Sequence, residues 1–335
     1  MTPAAQRALR DTALVHQVPG RFISKPSHAD ERVHAPQRSA MNAQLSSIIA
    51  LLHRDPPLAP PQGADAVVDP GIDVNDVPGG TRIVAGDVKI VVWPYWVDGG
   101  RVVLNSGKDV TFWVNNSMCE PTDDAGSGLG FAFAPRPTGR FHGYPTFDST
   151  VVITHRTAPP CVPVTREEFL TALTRKLALT APSNDSEARD AKREQEAGLR
   201  QLAKTDPKGT AQLRVQLAQE QHVTDSITNS IGSRFTDALT QLSPAERASP
   251  AYLSENGCPD ESNGCLVNAN AAGARMVVRS NAAFFDSSRP ADVQLITIDI
   301  SHVFDDTNPP NPYLVTLMHS ILDQLDWPAL GALVR

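Results

Sequence analysis

Apolar residues at Met41, Leu45, Ile48, Ile49, Leu51 and Leu52 recur with the spacing of one helix face, and the proline-rich residues 55–62 end that run. Residues 63–80 have little periodicity and are expected to form a loop. From Arg82 the period falls to two. Residues 82–85, 88–97, 101–104 and 109–115 are rich in β-branched and aromatic side chains. Asp98-Gly-Gly and Asn105-Ser-Gly divide them as turns, which predicts an antiparallel meander. Further strands are expected at 129–134 and 150–154.

The period then lengthens. Thr165 and Glu168 have the spacing of a capping box, the threonine serving the Glu168 amide while the glutamate reaches back. They open a helix with Phe169, Leu170, Leu173 and Leu177 on one side. Residues 185–205 are dense in charge and alanine. After a break at residues 205–209, Val223, Ile227, Ile231, Phe235 and Leu239 recur at every fourth position and make a narrow apolar stripe. Ser243 and Glu246 form a second box with proline at the first helical position. Strands return at 274–279 and 293–300. The chain closes with a helix over 312–325 that buries Leu314, Leu317, Met318, Ile321, Leu322 and Leu325, and with a tail docked through Trp327.

This order predicts an α+β fold: a mostly antiparallel sheet built from the N- and C-terminal parts, with an inserted helical hairpin. The expected divisions are 1–40, disordered or loosely attached; 41–164, a helix and the meander; 165–256, helical; and 257–335, a disulfide loop, strands and the C-terminal helix. An internal echo points to a pseudo-duplicated β–loop–α unit. Phe147-Asp148-Ser149 precedes a strand ending in Ile153-Thr154, and Phe285-Asp286-Ser287 precedes one ending in Ile296-Thr297; each is followed by a proline-bearing loop and a helix.

Composition narrows the function classes. A net charge of −7 argues against a nucleic-acid partner, which a basic stripe would announce. No apolar run approaches the ~20 residues needed to cross a bilayer. Cys258 and Cys265 bracket a short polar loop and suit a disulfide, which leaves Cys119 and Cys161, in loops beside predicted strands, to pair by elimination. That usage favours an oxidising compartment. Residues 1–40 hold no apolar stretch of the kind a secretory leader has. A periplasmic or extracellular location therefore requires a leader upstream of the given start, and a cytoplasmic one is expected otherwise.

The chain resembles a family of uncharacterised bacterial proteins, often exported. The resemblance is carried by Val-Pro-Val-Thr-Arg-Glu-Glu-Phe-Leu at 162–170 and by Leu-Ser-Pro-Ala-Glu-Arg-Ala-Ser-Pro-Ala-Tyr at 242–252. Asn-Ala-Ala-Phe-Phe-Asp at 281–286 and Val-Gln-Leu-Ile-Thr at 293–297 complete it. It covers roughly residues 45–335 and implies no activity.

Among candidate chemistries, His142, Asp148, His155 and Arg156 form the densest polar cluster, whose two imidazoles and carboxylate suit a metal or a base and its orienter. Cys161 with His155 has the residue types of a nucleophile and base, although a disulfide is the simpler expectation. Trp93, Tyr95, Trp96 and Trp113 would make a sugar or peptide platform if exposed; alternation puts Trp93 and Tyr95 on one face and Trp96 on the other, and core packing is expected. Residues 260–263 and 305–308 offer oxygen ligands of the kind calcium takes, without a complete calcium loop. No cofactor motif is present. The charged helices at 185–242 suit self-association or a protein partner. Together these features point to a non-catalytic, envelope-associated or secreted binding or structural protein, with a hydrolase or metal-dependent enzyme built on His142, Asp148 and His155 as the alternative.

Overall fold

Strands with alternating inward and outward side chains build the larger of the two sheets found among the described residues. The computed structural model of the chain describes residues 14–77, 81–98, 101–119, 129–180, 186–256, 263–304 and 312–335. The first strands are β1 (Phe22–Ser24), β2 (His28–Ala29), β3 (Ala64–Val77), β4 (Thr81–Asp98), β5 (Arg101–Leu104) and β6 (Lys108–Val114). After β7 (Ala132–Phe133) come β8 (Pro137–Phe141), β9 (Tyr144–Phe147) and β10 (Thr150–Ile153), and later β14 (Ile296–Asp299). The sheet runs β1-β3-β4-β6-β14-β10-β9-β8, with β2 also on β3 and β5 on β4. Among the described residues of this sheet, only β1 and β2 pair parallel, both to β3. The α+β, mostly antiparallel expectation holds, and the early and late parts of the chain share one sheet where β14 joins β6 and β10.

Within the stretch expected to be loop at 63–80, Ala64–Val77 form β3 instead. Ala64, Ala66, Val68 and Ile72 point inward and are buried, while Asp65, Asp69 and Asp73 take the alternate positions. The segment expected to be loosely attached supplies, over its described residues, β1, β2 and the buried Val33. Its backbone is held by β3, as in Lys25 N–H to the Val68 carbonyl at 2.8 Å and Asp30 N–H to that of Ile72 at 2.9 Å. The first helix, α1 (Ala35–Arg54), begins earlier than the apolar spacing predicts, because Pro36 suits its first turn.

Two compact units divide the chain. The first comprises residues 1–118, 135–160 and 280–335; the second comprises 119–134 and 161–279. In the first, α1, α7 (Pro312–Gln324) and α8 (Trp327–Gly331) cover one sheet face, meeting Val88, Ile90, Val92, Val110, Phe112, Val114, Ile296 and Ile298 in a single core. Trp327 is buried and donates its indole N–H to the Leu322 carbonyl at 2.7 Å. On the opposite face a smaller core of Ile83, Val152, Phe284, Phe285 and Leu295 covers one end.

The covering segment is fixed by a buried polar pair. Asn115, fully buried with φ 54°, donates to the Val84 carbonyl at 3.1 Å and the Asp292 carbonyl at 2.7 Å. Its side-chain oxygen accepts from the backbone N–H groups of Gln294 and Leu295. Gln294, also fully buried, donates in turn to the carbonyls of Asp286 and Arg289.

The second unit holds the sheet β11 (Cys161–Pro163), β13 (Ala274–Ser280), β12 (Tyr252–Ser254), with β7 paired to β13. Its helices are α2 (Arg166–Thr180), α3 (Ser186–Leu202), α4 (Pro207–Gln241) and α5 (Pro244–Ala248). Thr165 caps α2 by accepting from the Glu168 N–H, but the Glu168 carboxylate binds Arg279 at 2.7 Å instead of closing the box. The Ser243–Glu246 box is complete. In the echo, β10 and β14 are neighbours, Ile153 opposite Ile296. The helices after them fall in different units, α2 in the second and α6 (Ser301–Phe304) in the first, so the repeat stops at the strand.

Candidate binding face

The face of the first sheet turned away from α1, α7 and α8 carries polar and aromatic side chains. Across β4 and β6 the outward row is Asp87 beside Trp113, Lys89 beside Thr111 and Val91 beside Asp109. Trp93 continues it, its indole lying over Gly107, where a Cβ would come 3.1 Å from the ring. Core packing of these tryptophans is not what the structure has: Trp93 is 36% exposed, Trp113 39% and Trp96 43%. Trp96 lies on the other side of β4, opposite Val103 of β5. Trp93 and Trp113 share one face; their places on adjacent strands, displaced by six positions, put them roughly 20 Å apart at the strand rise.

Charged groups on this face are fixed by partners. Arg21 clamps Asp65 through its backbone N–H at 2.9 Å and its guanidinium at 2.6 Å, and Tyr95 donates its hydroxyl to the same carboxylate at 2.6 Å. Burial works against the Asp65 charge, but the hydrogen bonds from Arg21 and Tyr95 outweigh it and hold the carboxyl below its usual range. The same contact, with burial as the larger cause, pushes the Tyr95 hydroxyl up to about 12. Lys25 pairs with Asp69 at 2.8 Å and Lys89 with Asp109 at 3.1 Å. His28 stands over Gly71 against Asp87: a Cβ on that glycine would fall 2.4 Å from Asp87 Oδ1 and 2.8 Å from His28 Nε2. Burial pushes the Asp87 carboxyl up, and His28 opposes it.

Beside Trp113 the face dips into a pocket of ≈ 150 Å³ lined by Asp73, Asn75, Ala85, Asp87, Trp113 and Asn116. Trp113 stands at the border of the covered end, opposite the buried Thr297 of β14. An indole face with carboxylate and amide groups at its edge stacks on an apolar ring surface and hydrogen-bonds its hydroxyl rim. The spacing of aromatics was legible in the sequence. Their exposure was not, because the same side chains favour strands whether buried or open.

The other candidates do not assemble. His142 occupies the turn before β9 and Asp148 the turn after it, six positions apart along extended chain, or roughly 20 Å. His142 stacks on Trp327 at 5.2 Å and faces Asp323 at 3.6 Å. Asp148 accepts from the Arg136 N–H, and His155 is exposed beyond β10. Among the described residues no group of three histidine, cysteine, aspartate or glutamate side chains is placed to hold a metal. Cys161 is bonded to Cys119, with Cα atoms 6.0 Å apart, which removes it as a nucleophile. Cys265 is also disulfide-bonded, while Cys258, Asp260 and Glu261, and residues 305–308, lie outside the described residues. Among the described residues, no helix is long and apolar enough to cross a membrane. Comparison with protein-family models, with curated proteins and with solved structures finds no significant match.

Proposed function

We propose that this chain is a non-catalytic binding protein of the cell envelope or exterior, which holds a carbohydrate on the outer face of its larger sheet. The observation that carries the reading is the pairing of exposure with chemistry. Trp93 and Trp113 are each more than a third exposed on one face, and Trp113 forms a wall of a pocket rimmed by Asp73, Asp87 and Asn116. A row reaching from one tryptophan to the other suits an oligosaccharide better than a single sugar. A peptide suits it less well, because the acceptor-rich pocket asks for a ligand that presents many hydroxyl donors. The Cys119–Cys161 bond supports an oxidising compartment, as does the resemblance to exported bacterial proteins.

Tryptophan fluorescence during titration with cellohexaose, chitohexaose, xylohexaose and maltohexaose tests the reading. A saturable change with at least one of them, lost in Trp113→Ala, is expected. Binding unchanged in that variant, or a flat response to every sugar, would end it. Compartment is tested separately by counting thiols in freshly isolated native protein under denaturing conditions; four reactive thiols would overturn the assignment.

A further inference from the structure

Four of the large apolar side chains left in water lie on one hairpin, made by β5 and the end of β4. Trp96, Val102, Val103 and Leu104 are all exposed there, Val102 at 54% and Leu104 at 50%. Trp96 and Val103 face one way, and Val102 and Leu104 the other. A partner laid on one face would cover only half of them. A strand added along the hairpin's outer edge gives both faces a neighbour at once.

That edge is open. The Asn105 N–H donates to the Pro94 carbonyl at 2.9 Å, which makes these two a hydrogen-bonded pair of the β4–β5 ladder. Alternation then makes Trp96 and Val103 the next bonded pair. The N–H and C=O groups of Val102 and Leu104 therefore point away from β4. Tyr95, opposite Leu104, obeys the same phase, since its N–H turns to the Gly63 carbonyl at 2.8 Å, away from β5. Among the described residues β5 pairs with β4 alone. Sheet edges are ordinarily guarded by charge, proline or a bulge. Residues 102–104 carry neither charge nor proline, and Arg101 stands only at their end.

The strand is also complementary to itself. Two copies related by a two-fold axis through Val103, perpendicular to the sheet, run antiparallel. Val102 of each then faces Leu104 of the other as a bonded pair, and Val103 faces Val103. Outward-pointing backbone groups meet outward-pointing ones, and each apolar side chain meets another on its own face. Arg101 falls opposite Asn105, so no like charges are opposed. An axis through Val102 would instead set Arg101 against Val103 and lose the match.

We infer that the chain forms a two-fold dimer by antiparallel pairing of β5 with β5 of a second copy, which joins their larger sheets edge to edge. The exposed parts of the four side chains amount to on the order of 300 Å² per copy, against roughly 800 Å² per partner in a standard interface. The dimer is therefore weak and concentration-dependent. Both outer faces lie on one side of the joined sheet, and the inference holds whether or not that face binds carbohydrate.

Sedimentation equilibrium of the full chain from about 5 to 500 μM tests it. The wild-type chain is expected to pass from monomer toward dimer over that range. Val103→Lys and Val103→Glu should each weaken association tenfold or more, because like charges then meet on the axis. An equimolar mixture of the two should associate more tightly than either alone, a response that requires position 103 to face its own copy. Should the charged variants not fold, Leu104→Pro removes an outward N–H, leaves the β4 pairing intact and is expected to weaken association by the same factor. A wild-type chain that stays monomeric throughout would overturn the inference and leave the edge to an extended peptide. Wild-type association in the folded charged variants or in Leu104→Pro, which would place the dimer on another surface, or a mixture no tighter than its parts, would equally overturn it.

Discussion

Phe112 and Trp113 are successive residues of one strand, of similar bulk, and the sheet treats them in opposite ways. Phe112 is fully buried against α1, α7 and α8, and Trp113 stands 39% exposed beside Asp87. The difference belongs to the faces, since alternation forces every second side chain to one side and helices cover only one side. The inner face is covered by helices and filled mostly by aliphatic residues. The outer face carries ion pairs, tryptophans and a pocket. A sheet built this way can change its outer face with little cost to its core, which is the property a binding scaffold needs.

The sharpest test of the comparison is the largest expected effect. Phe112→Ala should destabilise by about 3–5 kcal/mol, the loss of a buried aromatic plus the cavity it leaves. Denaturant unfolding with an unchanged slope measures it. A loss below about 1 kcal/mol would mean that the inner face is not the packed core described.

Asn115→Ala comes next, at about 2–4 kcal/mol. The substitution leaves the Val84 and Asp292 carbonyls and the Gln294 N–H short of partners in a buried place. Its signature is local. Hydrogen exchange should quicken first over residues 281–295, which cover one end of the outer face, before the inner face is touched.

Two buried aspartates extend the contrast. Asp65 is 2% exposed and Asp55 3%. Asp65 is served by Arg21 and Tyr95, which keep it charged, whereas both Asp55 oxygens lack partners among the described residues and burial pushes that carboxyl up to about 7. The signs are opposite. Stability from Asp65 is present above the unfolded carboxylate value and is lost as pH falls through its lowered folded value. Stability from a neutral Asp55 is complete below about 4 and is lost as pH rises toward about 7. Asp55→Asn should therefore match the parent at pH 4 and exceed it at pH 8 by on the order of 2 kcal/mol. Equal stability at both values would show that Asp55 is solvated or paired.

Much of this was legible in the pattern of residues, and what was missed has physical reasons. The helix Pro312–Gln324 and the docking of Trp327 follow from apolar spacing alone. β3 was missed because aspartates fill its outward positions and Pro70-Gly71 interrupts it, all of them features of loops. Its alternation of Ala64, Ala66, Val68 and Ile72 was nonetheless present. A usable signal lay in a constant offset: Arg21 with Asp65, Lys25 with Asp69 and Arg32 with Asp76 are each 44 residues apart. Cations matched to carboxylates at one spacing point to two segments that run parallel, and β1 pairs β3 at that same offset. The candidate face itself was only half visible. Trp93 and Tyr95 could be placed on one face by parity, but the place of Trp113 beside them follows from the register of β4 and β6, and which side the helices leave open depends on tertiary packing.

The smallest expected change closes the comparison from the other side. Trp113→Ala removes a large side chain, yet over a third of it is already in water and the core beneath belongs to Phe112 and Val114. Its loss should move stability by less than about 1 kcal/mol, near the range of surface substitutions. Set against several kcal/mol for its neighbour Phe112, that value makes the indole a group held out for contact. If Trp113→Ala instead costs as much as Phe112→Ala in denaturant unfolding, the ring is structural. The outer face would then be a second core surface left bare, and the carbohydrate reading would lose its central residue.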